Sequence, residues 1–137
     1  MASVGSGKAE LFLDEHRILQ LKWQHNAIIR SSDAEAAMHM VNELCVQTER
    51  PLLVDMGATA KVSRGARAVF ARPCQASHVA LLGASPVDKV IANFVLAVNK
   101  TTPKRFFTSR TEAMGWLKKA LLTELTPRAE NDGGAAA

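Results

Sequence analysis

Two short, nearly all-apolar runs, each preceded by a segment with helical periodicity, constrain the fold of this chain most strongly. Leu52-Leu53-Val54 and Val79-Ala80-Leu81-Leu82 are long enough for a strand and too short for a buried helix. Such runs are typical of strands covered on both faces, as in a parallel sheet. Helices that connect parallel strands form crossovers, so the sequence predicts an α/β domain with a mainly parallel sheet.

A hairpin pattern precedes this parallel part. Residues 10–13 and 17–23 are separated by the polar turn Asp14-Glu15-His16. Apolar and polar side chains alternate from Leu19 to Trp23, which predicts one buried and one wetter face. The first strand is therefore expected to be antiparallel to the second, at one side of the sheet.

Four helices are predicted from apolar spacing and capping residues. They cover residues 31–48, residues 62–72, residues 85–100 and a closing segment that begins near Ser109. Ser32 and Glu35 have the spacing of a capping box, as do Ser109 and Glu112 at the closing helix, and Ser63 is the expected N-cap of the second helix. In the third helix the predicted inward stripe includes Val90.

The domain organisation follows from length and composition. The chain has 137 residues, of which 47% are hydrophobic and 22% charged, which is typical of one globular domain. We expect a flexible N-terminus at residues 1–8, one domain of five strands and four helices at residues 9–122, and a flexible tail at residues 123–137. Whether the helices cover one or both sheet faces stays open.

Composition also bears on compartment and partners. No apolar run approaches the ~20 residues that span a membrane, and the first residues lack the apolar core of a signal peptide. We therefore expect a cytoplasmic protein without membrane insertion. The net charge of +4 favours anionic partners, but the chain has no Tyr and its basic residues are dispersed. This pattern argues against a nucleic-acid partner.

Neither a metal nor a cofactor is expected. Cys45, Cys74 and the four histidines do not show the spacing of metal ligands. Cys45 falls on the apolar stripe of a predicted helix, where it is expected to be a small buried side chain. The sequence contains no nucleotide-binding motif and no convergent acid/base set, so an enzyme is not expected.

Two places are candidates for a site. Asp55 ends a buried strand, where open α/β sheets place ligand groups, but it could instead hydrogen-bond the following loop. Ser63 begins a helix, and Lys61, Arg64 and Arg67 lie at spacings of three beside it. These residues could hold an anion or a phosphate, or Ser63 could cap the helix while the basic side chains face water.

The segment from Leu52 to Gly57, followed after five residues by Ser63-Arg64-Gly65-Ala66, resembles the strand–loop–helix of sulfate-transporter/anti-sigma-antagonist (STAS) domains. The resemblance extends over about residues 9–122. Small bacterial STAS-like proteins without assigned activity are similar in two further segments, Gly83-Ala84-Ser85-Pro86 and Ala113-Met114-Gly115-Trp116-Leu117. In antagonists of this family the first Ser of a D-S-S-G-type turn is phosphorylated, and Ser63 has the corresponding position. Val62 replaces the Asp and Arg64 the second Ser, so we predict that Ser63 is a cap and not a phosphosite.

The resemblance implies a non-catalytic regulatory or protein-interaction module with a protein partner. The alternative is a small-molecule or lipid carrier with a pocket between sheet and helices. At 100° per residue, Leu96 and Ala92 point away from the predicted stripe of the third helix. This pattern favours a homodimer with Leu96 in or near the interface and Asn93 at its edge.

Overall fold

The structure is a computed structural model that describes residues 2–4, 7–46, 48–58, 60–72, 75–84, 86, 88–90, 92–93 and 102–125. Its strands are β1 (Ala2–Val4), β2 (Ala9–Leu13), β3 (Leu19–Trp23), β4 (Ile28–Ile29), β5 (Leu52–Asp55), β6 (Lys61–Val62), β7 (Val79–Leu82) and β8 (Lys104–Phe107). The helices are α1 (Ser31–Leu44), α2 (Arg64–Phe70) and α4 (Arg110–Leu125). We label as α3 the helical residues 86, 88–90, 92 and 93.

The main sheet has the strand order β1-β2-β3-β5-β7-β8. Strands β3, β5, β7 and β8 are parallel to one another, whereas β2 is antiparallel to β3. A separate parallel pair, β4 with β6, joins the loops that follow β3 and β5. The predicted α/β fold, with a mainly parallel sheet and an antiparallel first strand, is confirmed.

The ends of the domain differ from the expectation. Ala2–Val4, placed by the sequence in a flexible lead, forms β1 and pairs antiparallel with β2. α4 continues to Leu125, so residues 123–125, expected to belong to the tail, are helical. β1 adds a strand beside the predicted hairpin, and α4 extends the predicted closing helix past its last strongly patterned residue.

Helices cover both faces of the sheet. Alternate side chains of β3, β5 and β7, such as Leu21 and Leu52, pack in one core with α1, α2 and Ala92 of α3. The intervening side chains, such as Leu53 and Ala80, pack in a second core with Leu117 and other residues of α4. The period of two along each strand therefore divides the apolar residues of β5 and β7 between two helical layers.

The start of α1 is stabilised by a buried carboxylate and not by the predicted capping box. Asp33 Oδ2 accepts the backbone N–H of Arg30, the N-cap residue, at 2.9 Å. The same oxygen accepts Lys8 Nζ at 2.9 Å, and Lys8 Nζ also donates to the carbonyl of Ile28 at 2.9 Å. The prediction that Ser32 and Glu35 form the box is wrong, because the N-cap is Arg30, two residues before Ser32, and Asp33 takes the third helical position.

Burial alone would raise the pKa of the Asp33 carboxyl. The hydrogen bonds from Lys8 and from the N–H of Arg30, together with the positive charges of both residues, lower the pKa by more than burial raises it. The pKa of Asp33 therefore lies below its ordinary value of 3.8. The ionised carboxylate is the form that the fold stabilises.

The inner face of α3 differs from the predicted stripe. Val90, expected to face the sheet, is 61% exposed, whereas Ala92, expected on the outer side, is fully buried in the first core. Asp88, four residues before Ala92, is also fully buried, and its Oδ2 accepts the N–H of Ala84 at 3.0 Å. The helix is rotated because its start is bound to the strand end through Asp88, which the apolar pattern ignores.

Candidate functional site

The carboxyl ends of four parallel strands lie in one register. Lys22 pairs with Asp55, Asp55 with Leu82, and Leu82 with Phe107. We call this side of the sheet, with the loops and helix starts that follow these strands, the carboxyl edge. Open α/β sheets commonly place ligands at such an edge, because the loops there can vary without disturbing the core.

A cleft of about 370 Å³ opens at the carboxyl edge. Its lining comes from the loops after β3, β5, β7 and β8 and from the start of α4: His25, Asp55, Gly57, Ala58, Leu82, Gly83, Ala84, Thr108 and Arg110. Much of this lining is backbone and small side chains, and its polar side chains are those of His25, Asp55, Thr108 and Arg110. The cleft can therefore admit an extended segment or a small polar group.

Asp55 lies in a hydrogen-bond network inside this cleft. Its Oδ1 accepts the N–H of Gly57 at 3.1 Å, as the structural alternative for this residue predicted. Its Oδ2 accepts Arg110 Nη2 at 2.6 Å, and Arg110 Nη1 donates to Gln20 Oε1 at 3.2 Å. The carboxylate and the guanidinium thus hold each other in place and present a fixed pair to the cleft.

The loop after β5 has a backbone that few side chains tolerate. Gly57 has a φ of +67°, and a Cβ at this position would lie 2.5 Å from the carbonyl oxygen of Trp23. The next residue, Ala58, has a φ of +51° although it is not glycine. The N–H of Asn26 donates to the carbonyl of Gly57 at 3.1 Å, so the loop is held against the turn after β3. A positive φ at a residue other than glycine, such as Ala58, costs conformational energy, and residues of this kind are frequent in functional loops.

The other predicted site residues lie apart from this cleft. Ser63 Oγ accepts the N–H of Ala66 at 3.0 Å, which confirms that Ser63 caps α2. Lys61 on β6 and Arg64 at the first position of α2 are exposed, and Arg67 is half-buried one turn later. Among the described residues that line the cleft, Asp55 is the sole member of the predicted set. The structure therefore keeps the two candidate places, Asp55 and the start of α2, on separate surfaces.

The starts of α1 and α2 lie side by side. A Cβ added to Gly65 would lie 3.0 Å from Cβ of Ser31. Lys61 is the register partner of Ile28, and the N–H of Ser63 donates to the carbonyl of Ile29 at 3.0 Å. The β4–β6 pair therefore carries Lys61 and Arg64 next to the first turn of α1.

A second cavity, of about 60 Å³, lies between the sheet and the helices α1 and α2. Its lining is apolar except for one lysine: Leu21, Trp23, Ile29, Met38, Leu52, Val54, Met56, Val62, Phe70, Val79, Leu81 and Lys104. The rings of Trp23 and Phe70 meet edge to face with centroids 6.0 Å apart. This is the place that the alternative prediction of a carrier pocket requires.

Other expectations concern metals, membranes and the third helix. Within the described ranges, His, Cys, Asp and Glu side chains form no group of three that could hold a metal ion, and no helix is long and apolar enough to cross a membrane. Asn93 is exposed, and Leu96 lies outside the described residues. The homodimer stays a prediction, although its premise that Ala92 faces outward is wrong.

Sequence reasoning missed Arg110 and His25 as parts of the cleft, and Gln20 as a partner of Arg110. Arg110 directly follows Ser109, whose Oγ accepts the N–H of Glu112 at 3.3 Å as the predicted cap. A signal was therefore present, since a residue at the start of the helix after β8 must lie at the carboxyl edge. Gln20 lies on β3 and His25 follows that strand, and only the pairing of β3 with β5 brings them near Asp55.

Comparison with known proteins agrees with the fold and assigns no activity. A family described as Domain of unknown function (DUF7793) matches residues 11–121. An uncharacterized protein from the DUF3478 family with a SpoIIAA-like fold, from Shewanella loihica PV-4, is 14% identical over 80% of this chain and 91% of its own, with a TM-score of 0.57. This likeness shows the fold, and it confirms the predicted STAS-like resemblance.

A second solved structure is a protein with unknown function from Arthrobacter sp. FB24. It is 54% identical, the match covers 84% of this chain and 96% of that one, and the TM-score is 0.34. Comparison with curated proteins gives no match.

Proposed function

From the premise that the chain belongs to the DUF7793 family, a domain of unknown function, we propose a non-catalytic interaction module of STAS type. In this proposal the module recognises a protein partner at the carboxyl edge of its sheet, and the cleft beside Asp55 is the recognition site. The observation that carries the proposal is the ion pair between Asp55 and Arg110 at 2.6 Å.

The ion pair supports recognition because its charged groups are held in fixed positions and are still accessible to a partner. Arg110 is 47% exposed, so its guanidinium can meet a partner while Asp55 and Gln20 orient it. Arginine is enriched at the centres of protein interfaces, and groups held in place before binding lose less conformational entropy. The open cleft suits a macromolecular segment better than a reaction that must exclude water.

Site-specific photo-crosslinking tests this proposal. A photoreactive residue at Thr108, which is exposed in the cleft, should give a light-dependent adduct with one protein in cells of the source organism. The same residue at Lys118, exposed two turns along α4, is the matched control and should give no such adduct. Arg110→Ala should reduce the yield from Thr108. Equal adducts from both positions, or none from Thr108, would contradict the proposal.

The second candidate, a carrier of small molecules or lipids, is favoured by the apolar cavity between the sheet and α1. Its volume of about 60 Å³ corresponds to about two waters at ~30 Å³ each, and cavities that accept benzene are nearer ~150 Å³. A lipid chain would therefore require α1 and α2 to move apart. Native mass spectrometry of the protein purified from its source, compared with a Val54→Trp variant that fills the cavity, would detect a retained small molecule.

A further inference from the structure

The exposed surface beside the cleft combines one apolar side chain with three cations. We define the ribbon surface as Ile28 and Lys61 of the β4–β6 pair with Arg30 and Arg64 at the starts of α1 and α2. All four residues are exposed, and Ile28 retains 49% of its accessible surface. Lys8 Nζ donates a hydrogen bond to the carbonyl of Ile28 at 2.9 Å, so the β4–β6 pair is bound to the loop before β2.

Among the described residues, no carboxylate forms an ion pair with the side chains of Arg30, Lys61 or Arg64. Asp33 is buried and accepts Lys8 Nζ and the N–H of Arg30. Asp55 accepts Arg110 and the N–H of Gly57. Asp33 offsets part of the charge of Arg30, which helps to lower the Asp33 pKa, while Lys61 and Arg64 leave the ribbon surface with a net positive charge.

The dipole of α1 adds to that positive charge. The starts of α1 and α2 lie side by side, with a Cβ on Gly65 only 3.0 Å from Ser31. The start of a helix favours negative charge, yet Arg30 occupies the N-cap of α1. Arg30 and the dipole therefore repel each other in the free protein, and a carboxylate of a partner would be attracted by both.

Ile28 distinguishes a protein partner from a nucleic acid. Interface centres are apolar and are surrounded by a charged rim, which is the arrangement of Ile28 between Arg30 and Lys61. Single-stranded nucleic acids instead require aromatic side chains for base stacking, and the four residues of the ribbon surface include none.

We propose that the ribbon surface docks an acidic protein segment that carries an apolar side chain against Ile28. This inference rests on the proposed function and specifies the chemistry of the partner. Acidic side chains of the segment contact Lys61, Arg64 and Arg30, while the apolar side chain covers Ile28. The same segment can continue into the cleft, because the turn at Asn26 and the loop at Gly57 join the two surfaces.

Fluorescence anisotropy with designed peptides tests the inference. The probe is a short labelled Glu-rich peptide with one central Leu, and the comparison peptide has Lys in place of every Glu. The wild-type protein should bind the Glu-rich peptide roughly tenfold more tightly than the Lys-rich peptide, and salt should weaken that binding. Equal binding of the two peptides would overturn the inference.

Charge reversal locates the contact. Lys61→Glu with Arg64→Glu should weaken the Glu-rich peptide roughly tenfold. Lys118→Glu with Lys119→Glu has the same net charge and should leave the affinity unchanged, with thermal denaturation confirming that both variants fold. If both double variants weaken binding equally, the affinity depends on the net charge of the protein and not on the ribbon surface, which would contradict the inference.

A double-mutant cycle tests the apolar contact. Ile28→Ser, and separately Leu→Ser in the peptide, should each weaken binding roughly fivefold, and the combined change should weaken it by little more than either alone. Fully additive losses would exclude a contact between Ile28 and the peptide Leu. Tighter binding of duplex DNA or of phosphatidylglycerol vesicles, lost on the Lys61 and Arg64 reversal, would overturn the inference in favour of those ligands.

The two proposals fail separately. A crosslinked partner at Thr108, with no preference for the Glu-rich peptide, would retain the proposed function and overturn the acidic docking surface. Absence of the adduct, with the peptide preference and its loss on charge reversal intact, would overturn the cleft as the recognition site and support the ribbon surface.

Discussion

Single side chains that accept backbone N–H groups determine where the helices of this protein begin. The first N–H groups of any helix lack partners within the helix. Ser63 Oγ accepts one at α2, Ser109 Oγ one at α4, and Asp88 Oδ2 accepts the N–H of Ala84 just before α3. Each of these bonds joins the end of a strand or loop to the next helix, and so orients that helix on the sheet.

Ser63→Ala should destabilise the protein by roughly 0.5–2 kcal/mol, because the N–H of Ala66 loses its acceptor. Urea unfolding measures the change in free energy. Ser63→Asp is the control, since a carboxylate also accepts at an N-cap and should retain most of the stability. We also predict no stoichiometric phosphate on Ser63 in intact-mass spectra, and a phosphate that Ser63→Ala removes would contradict this.

Asp33 should make stability depend on pH. Its pKa is lower in the folded protein than the ordinary value of 3.8, so the unfolded chain binds the proton more readily. The stabilisation is fully present above that ordinary value and is lost as the pH falls through the lower folded pKa. Urea unfolding across the acidic range should show this loss, and Lys8→Met should make the dependence shallower. An unchanged slope in Lys8→Met would show that Lys8 does not stabilise the carboxylate.

At the scale of elements, the approach of α3 to the sheet depends on a glycine. A Cβ at Gly83 would lie 2.7 Å from Asp88 Cβ and 2.7 Å from Cε1 of Phe106. The end of β7 therefore contacts both α3 and β8 closely, at the same place where Gly83 lines the cleft. This close contact and the hydrogen bond from the N–H of Ala84 to Asp88 Oδ2 together hold the start of α3 against the end of β7.

Gly83→Ala should destabilise the protein by roughly 1–3 kcal/mol, since the added methyl displaces Asp88 or Phe106. The control is Gly115→Ala on the exposed side of α4, where a Cβ meets nothing within 4 Å. That change should stabilise by roughly 0.5–1 kcal/mol through helix propensity. Equal effects of the two substitutions in thermal unfolding would contradict the close packing at Gly83.

At the scale of the whole molecule, the sheet separates two cores of unequal extent. The first core contains side chains of β2, β3, β5 and β7 under α1 and α2. The second lies under α4 and draws on β5, β7 and β8, with Ile18 before β3. On the second face the strands β2 and β3 instead present polar residues such as Glu10 and Lys22, which are exposed. The alternation of apolar and polar residues in the hairpin thus indicates that one face of β2 and β3 is not covered by a helix.

Leu117→Ala should destabilise the protein by roughly 2–5 kcal/mol, because Leu117 is fully buried in the second core. Leu122→Ala, on the same helix but 64% exposed, should change stability by less than about 0.5 kcal/mol. Denaturant unfolding compares the two. Similar small losses for both would mean that α4 does not close a core, contrary to the two-layer arrangement.

The contacts at the candidate site differ in how far apart their residues lie along the chain. Ser63 as a cap could be predicted because the required contact is with Ala66, three residues away. The partnership of Asp55 with Arg110 spans 55 positions in the chain and depends on β5 and β8 being brought to one edge on either side of β7. The sequence therefore placed Asp55 correctly at a strand end and could not identify its partner.

The sequence by itself determined what depends on neighbours along the chain: the α/β class, the apolar strands, the hairpin and the caps at Ser63 and Ser109. Period and capping are local properties, so they can be read without coordinates. The tertiary structure alone decided the rotation of α3, the contact of Lys8 with Asp33, and the separation of the Asp55 cleft from the ribbon surface. Those features depend on contacts between segments that are distant in sequence. In α3, such contacts bury Asp88 and Ala92, although the regular apolar stripe predicts a different inner face.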